Sequence, residues 1–370
     1  MKKVLFLIHS LGHGGAEKVL VNLVNNMDKT KFDVTVQTLI DSGVNKKYLS
    51  SDVRYMPGIR EFKGNSKILG LIPPKTLYKF YVKEKYDIVV SYLEGTSSRV
   101  LSGCTDPDVK KAAWVHIEFQ DIKKYTRFFK NEKATTAFYE GLDRVVCVSD
   151  SVRTSLEQCA GRQFSNAVVL YNTVESDRIQ RLAQEKIEDV QFNKNELNIC
   201  SVGKITETKG FDRLARIQKR LLLEGVRSHI YILGVGVDRG KIEDYLRKNG
   251  LSETYTFLGY RENPYKYVAA CDLYVCSSHR EGFSTAVTES LIVGTPVVST
   301  CCSGAYELLG KNNEYGIVTE NSEEGIYQGI KEITSSREKL LAYKEKARQR
   351  GKLFSKEKTT KAVEDMLLSL

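Results

Sequence analysis

The sequence predicts an α/β protein made of two doubly wound parallel-sheet domains. Three observations carry that expectation. The chain has 370 residues, more than the roughly 250–300 at which a single core stops growing. Short β-rich runs alternate with segments of helical period, as in a parallel sheet covered on both faces. The rhythm stops once, in a polar stretch, and then starts again.

The first run, Val4 to Ile8, comes after two lysines in MKKVLFLIHS. Five apolar residues are too few for a secretion signal and no small-residue cleavage site succeeds them, so the run reads as a buried strand. A glycine turn, GHGG, leads into AEKVLVNLVNNM, where Val19, Leu20, Leu23, Val24 and Met27 recur at helical spacing. Strand VTVQTLI is expected at 34–40, and YDIVVSYL, AAWVHI and DRVVCVS come next as further strands. Residues 174–195, rich in Glu, Gln, Lys and Asp, are expected to link a domain 1–173 to a domain 196–353. The second domain opens with LNICSVG, a lysine-bearing loop and helix GFDRLARIQKRLLLEG; strands HIYILG, TYTFLG, DLYVCSS and PVVST complete it. A last helix, 354–370, is expected to pack back toward the first domain.

Composition excludes several classes. Apolar content of 41% and charged content of 28% fit a globular chain rather than a disordered or fibrous one. No window approaches the ~18 apolar residues of a spanning helix, so the expectation is a cytoplasmic protein, at most peripheral at the inner face of a membrane. Eight cysteines include no C-x-x-C pair, which removes the usual zinc and thioredoxin spacings and leaves buried reduced thiols. The net charge of +10 is uneven: residues 1–172 hold 26 Lys and Arg against 18 Asp and Glu, the remainder 30 against 28. A cationic half calls for an anionic neighbour: a phosphorylated substrate, nucleic acid or an acidic lipid surface.

Ligands of doubly wound sheets sit at the carboxyl ends of the strands, so the loops there hold the candidates. REGFSTAVTE, residues 280–289, lies directly after strand DLYVCSS. Gly282 permits close approach of a ligand, and the amides of Phe283, Ser284 and Thr285 open a helix, where phosphate binds well. Glu289 lies about one turn into that helix. Beside a phosphate a carboxylate serves as acceptor for neutral hydroxyls such as a ribose diol; Glu281 could take hydroxyls of a second group. Phosphate flanked by polyols describes a nucleotide sugar. A solvated helix start is the bland alternative.

VGKITETKG places Lys204 and Lys209 around a loop in the same domain, within reach of a diphosphate, although two solvated lysines would read the same way. No G-x-x-x-x-G-K-[ST] is present, which disfavours ATP hydrolysis. In the first domain GHGGAEKVL, with Gly14 and Gly15 entering a helix, half matches a dinucleotide fingerprint; Glu17 stands at the third glycine position, and Asp41 could be a ribose acid. An NAD-dependent enzyme using that loop therefore stays open. His116 ends strand AAWVHI on the ligand side, where a structural role is the commoner one. Asp106-Pro107-Asp108 has D-x-D spacing in a polar turn; no metal site is expected. Residues 119–133 mix Lys123, Lys124, Arg127 and Lys130 with Tyr125, Phe128 and Phe129. Such a mixture suits an anionic membrane surface, single-stranded nucleic acid or an ordinary exposed helix.

In order along the chain, GGAEKVLVNL, WVH, VVCVSDSVR, LYNTV, VGKITETKGFDRL, FLGYRENPYKYVAACDLYVCSSHREGFSTAVTESLIVGTPVVST and EYGIVTEN resemble the retaining GT-B glycosyltransferases of family four. The resemblance implies two Rossmann-like domains, the nucleotide-sugar donor on the C-terminal one, and no metal or other cofactor. It assigns Glu289 to the ribose, Glu281 to the transferred sugar, and Lys204, Lys209 and the amides around Gly282 to Thr285 to the diphosphate. Gly14 and Gly15 would approach that diphosphate, His116 the transferred sugar, and Tyr260 and Arg261 the base, largely through backbone. Two departures stand out: Lys204 replaces a usual arginine, losing its bidentate fork, and Gly234-Val235-Gly236 replaces a Gly-Asp-Gly turn. The implied reaction moves a hexose or N-acetylhexosamine, with UDP as the expected carrier, to a glycan or polyprenyl-diphosphate-linked acceptor with retention. Lys123, Lys124, Arg127, Phe128, Phe129 and Lys130 would meet the membrane, and no nucleic acid is expected as partner. A nucleotide-sugar epimerase on a similar frame is the alternative enzyme; a polyanion-binding module ranks last, there being no base-reading motif.

Overall fold

The computed structural model describes residues 1–12, 14–61 and 69–370. Two compact units divide it: Met1–Val174 together with Lys356–Leu370, and Glu175–Ser355.

The first unit contains β1 (Lys2–Ile8), β2 (Phe32–Thr38), β3 (Ile40–Asp41), β4 (Arg54–Met56), β5 (Ile59–Arg60), β6 (Ile88–Ser91), β7 (Lys110–Val115), β8 (Arg144–Cys147) and β9 (Ala167–Val169). Seven of them form a sheet in the order β4-β2-β1-β6-β7-β8-β9, parallel throughout. Val4 to Ile8 are buried on both faces of it, which is why β1 reads as a continuous apolar run and not as an alternation. The single strand expected at 34–40 is two. Leu39 breaks it: its N–H reaches the Ile8 carbonyl at 2.9 Å while its carbonyl accepts the Ile59 N–H at 3.0 Å, and β3 then pairs with β5.

Helix Gly15–Asn26 turns Val19, Leu20, Val21, Leu23 and Val24 into the core. The terminal helix Lys356–Leu368 packs against it. Lys2 Nζ donates to the Leu367 and Leu368 carbonyls at 3.3 Å, and Glu364 accepts the Asp28 N–H at 2.6 Å.

The second unit holds β10 (Leu197–Val202), β11 (Ser228–Leu233), β12 (Tyr255–Gly259), β13 (Leu273–Cys276), β14 (Val297–Thr300) and β15 (Ile317–Thr319). Their order is β12-β11-β10-β13-β14-β15, again all parallel. Ile199, Leu214, Ile230, Leu273, Val275, Val298 and Ile330 are fully buried around it; each such side chain stabilises by roughly 1.5–3 kcal/mol. The polar stretch after Val174 contains helix Ser176–Ala183, whose Ile179 is buried and which packs on helices Tyr265–Ala270 and Thr285–Val293. Among the described residues no helix is long and apolar enough to cross a membrane.

Strand order fixes where each unit can hold a ligand. In the second unit the chain winds outward through β11 and β12, then returns to β13 on the other side of β10. The crevice beyond the carboxyl ends of β10 and β13 is the switch point. In the first unit the equivalent point lies beyond β1 and β6.

Candidate functional site

The second unit's switch point is built from two loops. After β13 the chain passes Ser277 and Ser278 to Glu281, then Gly282, Phe283 and Ser284 lead into helix Thr285–Val293. Ser284 caps that helix, its hydroxyl accepting the Val287 N–H at 3.4 Å, and Gly294 ends it in the left-handed region at φ 80°. The cap leaves the Thr285 and Ala286 amides without an acceptor inside the helix, at its positive end. Phe283 is buried, its ring 6.1 Å from that of Phe354, so the loop is anchored. Glu289, in the second turn, accepts the Tyr265 hydroxyl at 3.2 Å.

The other loop lies beyond β10. Lys209 Nζ lies 2.5 Å from Glu281 Oε1, the two side chains being 28% and 14% exposed. Ser278 Oγ donates to the same oxygen at 2.6 Å. Burial alone would lower the lysine pKa, but the Glu281 charge and hydrogen bond outweigh it, and the net direction is upward; Lys209 stays an ammonium. Backbone bonds stitch the loops together. Ser277 Oγ donates to the Lys209 carbonyl at 2.8 Å, and the His279 N–H to that of Thr208 at 2.8 Å. Gly210 makes this approach feasible: its φ is 63°, and a Cβ there would stand 2.3 Å from the Ser277 carbonyl oxygen. Lys204, on the same loop, is exposed. Gly234, the first residue of the Gly-Val-Gly turn, has φ 146° and backs onto the Gly203 carbonyl with no room for a side chain.

Arg213, Asn321 and Asp189 contribute although no sequence motif singles them out. Arg213 donates to Asn321 Oδ1 and meets His279 Nδ1, both at 2.7 Å, bracing the loop after β13. Its place one turn after Lys209 was the available hint. Tyr260 is 72% exposed beyond β12, and Arg261 pairs with Asp189 at 2.7 Å. Tyr267 also donates to Asp189, at 2.8 Å, and nothing in the polar run around Asp189 singles that residue out.

Gly14, Gly15 and His116 belong to the first unit. A Cβ on Gly14 would lie 2.0 Å from Glu17 Oε2; the carboxylate folds back over the helix start, the geometry of a capping-box acid. Asp41, the candidate ribose acid, is engaged by Lys46 and the Tyr55 hydroxyl, both at 2.8 Å. With Asp41 so engaged, the first unit lacks the free ribose acid that an NAD site calls for. His116 is buried and its Nε2 meets no hydrogen-bond partner among the described residues. Burial holds its pKa down to about 4, so the ring is neutral. Asp106 accepts the Asp108 N–H at 3.0 Å, and among the described residues no group of three or more His, Cys, Asp or Glu could hold a metal ion.

The basic-aromatic stretch is not one helix. Helix Ile122–Thr126 buries Tyr125, Phe129 meets Phe138 at 4.8 Å, and Phe128 packs over Gly95. Lys123, Arg127 and Lys130 are exposed, Lys124 half-buried. The aromatic rings thus serve packing, and the basic residues form the outer face.

Comparison with known proteins bears on both units. Residues 13–178 match the family model for Glycosyltransferase Family 4, and residues 183–350 that for Glycosyl transferases group 1. The chain is 27% identical over 378 residues, covering 97% of each sequence, to the N-acetylgalactosamine-N,N'-diacetylbacillosaminyl-diphospho-undecaprenol 4-alpha-N-acetylgalactosaminyltransferase of Campylobacter jejuni. Among solved structures it resembles Anabaena HepE in complex with UDP (TM-score 0.76, 17% identity, all of both chains covered). It also resembles sucrose-phosphate synthase from Thermosynechococcus elongatus (TM-score 0.79, 15% identity, 100% and 99% covered). With both halves matched in order and the sheets wound as described, the chain belongs to the glycosyltransferases of family four and group 1, and its fold is GT-B.

Proposed function

We propose that this glycosyltransferase takes a hexose or N-acetylhexosamine from a UDP-sugar and adds it, with retention of configuration and without a metal ion, to a polyprenyl-diphosphate-linked or cell-surface glycan. The observation that carries the donor assignment is the contact between Lys209 and Glu281 at the mouth of β10 and β13. Lysine suits a phosphate and glutamate a sugar hydroxyl. The two parts of a donor that are bonded to each other are the diphosphate and the transferred sugar, so the groups that hold them must be neighbours. Lys204 and the amides at Ser284 and Thr285 extend the diphosphate cradle, and Glu289 takes the ribose hydroxyls.

The chemistry asked of this cradle is stabilisation of a leaving group. As the bond between the anomeric carbon and the phosphate oxygen breaks, negative charge grows on the diphosphate and positive character on the sugar. Donors fixed beforehand toward that charge lower the barrier, each worth about 2.7–4 kcal/mol. The acceptor hydroxyl attacks from the face the diphosphate leaves, and its proton passes to a departing phosphate oxygen; no protein nucleophile is required. In the first unit, Gly14, Gly15 and His116 are assigned to substrate. The lipid-linked acceptor is supported by the undecaprenol-linked acceptor of the Campylobacter relative and by the cationic balance of residues 1–172. Lys123, Arg127 and Lys130 are the proposed contacts of a protein peripheral to an anionic membrane.

A melting-temperature screen against UDP, GDP, ADP and their sugars tests the donor, with Glu289→Ala as control. Stabilisation by UDP that is lost in the variant supports the reading; equal stabilisation of both proteins argues against it. Incubation with the donor alone separates transfer from epimerisation, and the anomeric coupling constant of the product reports retention or inversion.

A further inference from the structure

A carboxylate that no motif in the sequence flags lies at the switch point of the first unit. Glu94 comes just after β6, one of the two strands that define that crevice. Its Oε1 accepts the backbone N–H of His116 and that of Ile117, the latter at 3.0 Å, and so ties the loop after β6 to the loop after β7. The Glu94 loop is itself pinned. The Leu93 carbonyl accepts the hydroxyls of Ser91, Ser97 and Ser98 at 3.1, 2.6 and 3.3 Å, and Gly95 turns the chain at φ 134°. The held residue is also unusual. The His116 ring lies 4.9 Å from that of Tyr92. A neutral ring with its proton on Nδ1 leaves Nε2 as an acceptor, and among the described residues that atom is buried without a partner. A buried polar atom left unsatisfied in this way calls for an explanation; a hydroxyl donor from a ligand would satisfy it.

A glutamine in place of Glu94 would supply an acceptor without the cost of a buried carboxyl, which burial here pushes up to about 7 against its backbone hydrogen bonds. Departures from local economy of this kind concentrate at functional sites. Among the described residues the titratable groups that face it are His116 just after β7, Tyr92 just after β6, Tyr139 from helix Glu132–Glu140 and Cys147 from β8. None supplies a positive charge.

We infer that Glu94 is a positioning residue: by chelating the His116 and Ile117 amides it fixes the imidazole so that Nε2 accepts a hydroxyl of the bound sugar. The sugar part rests on the transferase reading above; the clamp does not. Both are tested with Glu94→Gln, which keeps an acceptor but cannot ionise, and Glu94→Ala, which removes it. Glu94→Ala is expected to lower kcat by about 10- to 100-fold with donor KM little changed, as for loss of orientation of a reacting group. Glu94→Gln should recover to within about fivefold and lack the acid limb of kcat expected of the wild type near neutrality. Full activity in Glu94→Ala, failure of Glu94→Gln to rescue, or an unchanged acid limb would each overturn the inference. Without any substrate, the His116 and Ile117 amide resonances should titrate near neutral pH in the wild type and stay flat in Glu94→Gln. If no nucleotide sugar turns over but these amides titrate, the transferase reading has failed and the clamp stands. Amides that do not titrate refute the clamp itself.

Discussion

Replacing Lys209 with methionine isolates the contact on which the proposed donor site depends. Methionine preserves the aliphatic stem that packs beside Gly203 and removes only the charge. In the free protein Glu281 then keeps, among the described residues, a single strong donor, Ser278 Oγ. Losing a charge-assisted hydrogen bond costs about 1.5–3 kcal/mol. The cost should fall short of the 3–5 kcal/mol of a fully buried broken pair, because the side chains retain 28% and 14% exposure. At roughly 2–4 °C per kcal/mol for a unit of this size, the melting temperature should drop by about 3–12 °C. Catalysis should suffer more. Loss of one preorganised donor to a leaving group lowers kcat by about 10²–10³-fold. Initial rates of UDP release at saturating donor measure that, and a cycle with Glu281→Gln separates the pair from the diphosphate, since coupling in stability should be positive while the double variant stays slow. Turnover within threefold of wild type would refute the assignment of Lys209 to the leaving group. Because the ammonium pKa is raised, its stabilising contribution is fully present at neutral pH and is lost only well into the alkaline range.

Other expectations rest on the same geometry. Glu289→Ala should weaken UDP binding by about 5- to 150-fold in calorimetry, one or two hydrogen bonds to ribose at 1–1.5 kcal/mol each, and should affect UMP and UDP alike. Gly210→Val places a branched side chain at φ 63° against the Ser277 carbonyl, and should cost at least about 2 kcal/mol in denaturant unfolding. His116 and Glu94 pull stability in opposite directions with pH. The His116 value is depressed from 6.5 to about 4, so its contribution is complete above 6.5 and is lost as pH falls toward 4, a difference of about 3 kcal/mol at 1.36 per unit. Glu94 is raised from 4.5 to about 7, so its contribution is present below 4.5 and is lost as pH rises through 7. Melting curves across pH should therefore flatten on the acid side in His116→Gln and on the neutral side in Glu94→Gln; identical curves would contradict both environments.

Much of the fold is legible in the sequence because parallel strands buried on both faces are written as continuous apolar runs. Val4 to Ile8 and Leu273 to Cys276 announce themselves, and the loops immediately after such runs contain the second unit's candidates. The stop at Gly294 is equally plain, since a left-handed residue there admits little else. Leu39 misleads because nothing local distinguishes a strand that continues from one that changes partner; the decisive bond comes from Ile59. Arg213, Asn321 and Asp189 are hidden for a similar reason. Each acts through a partner distant in sequence, and a single polar side chain says nothing of where its neighbour will be. Glu94 was within reach of sequence reasoning: it stands after a strand on the ligand side just as His116 does, and only the habit of looking to histidine first passes it over.

The most direct test of the donor site is a crystal structure with UDP-sugar bound. The diphosphate should lie within about 2.7–3.2 Å of Lys209 Nζ and of amides at Ser284 and Thr285, with the ribose hydroxyls on Glu289. A nucleotide lodged instead in the glycine loop beside Glu17, leaving Glu281 and Glu289 without ligand contacts, would contradict the assignment.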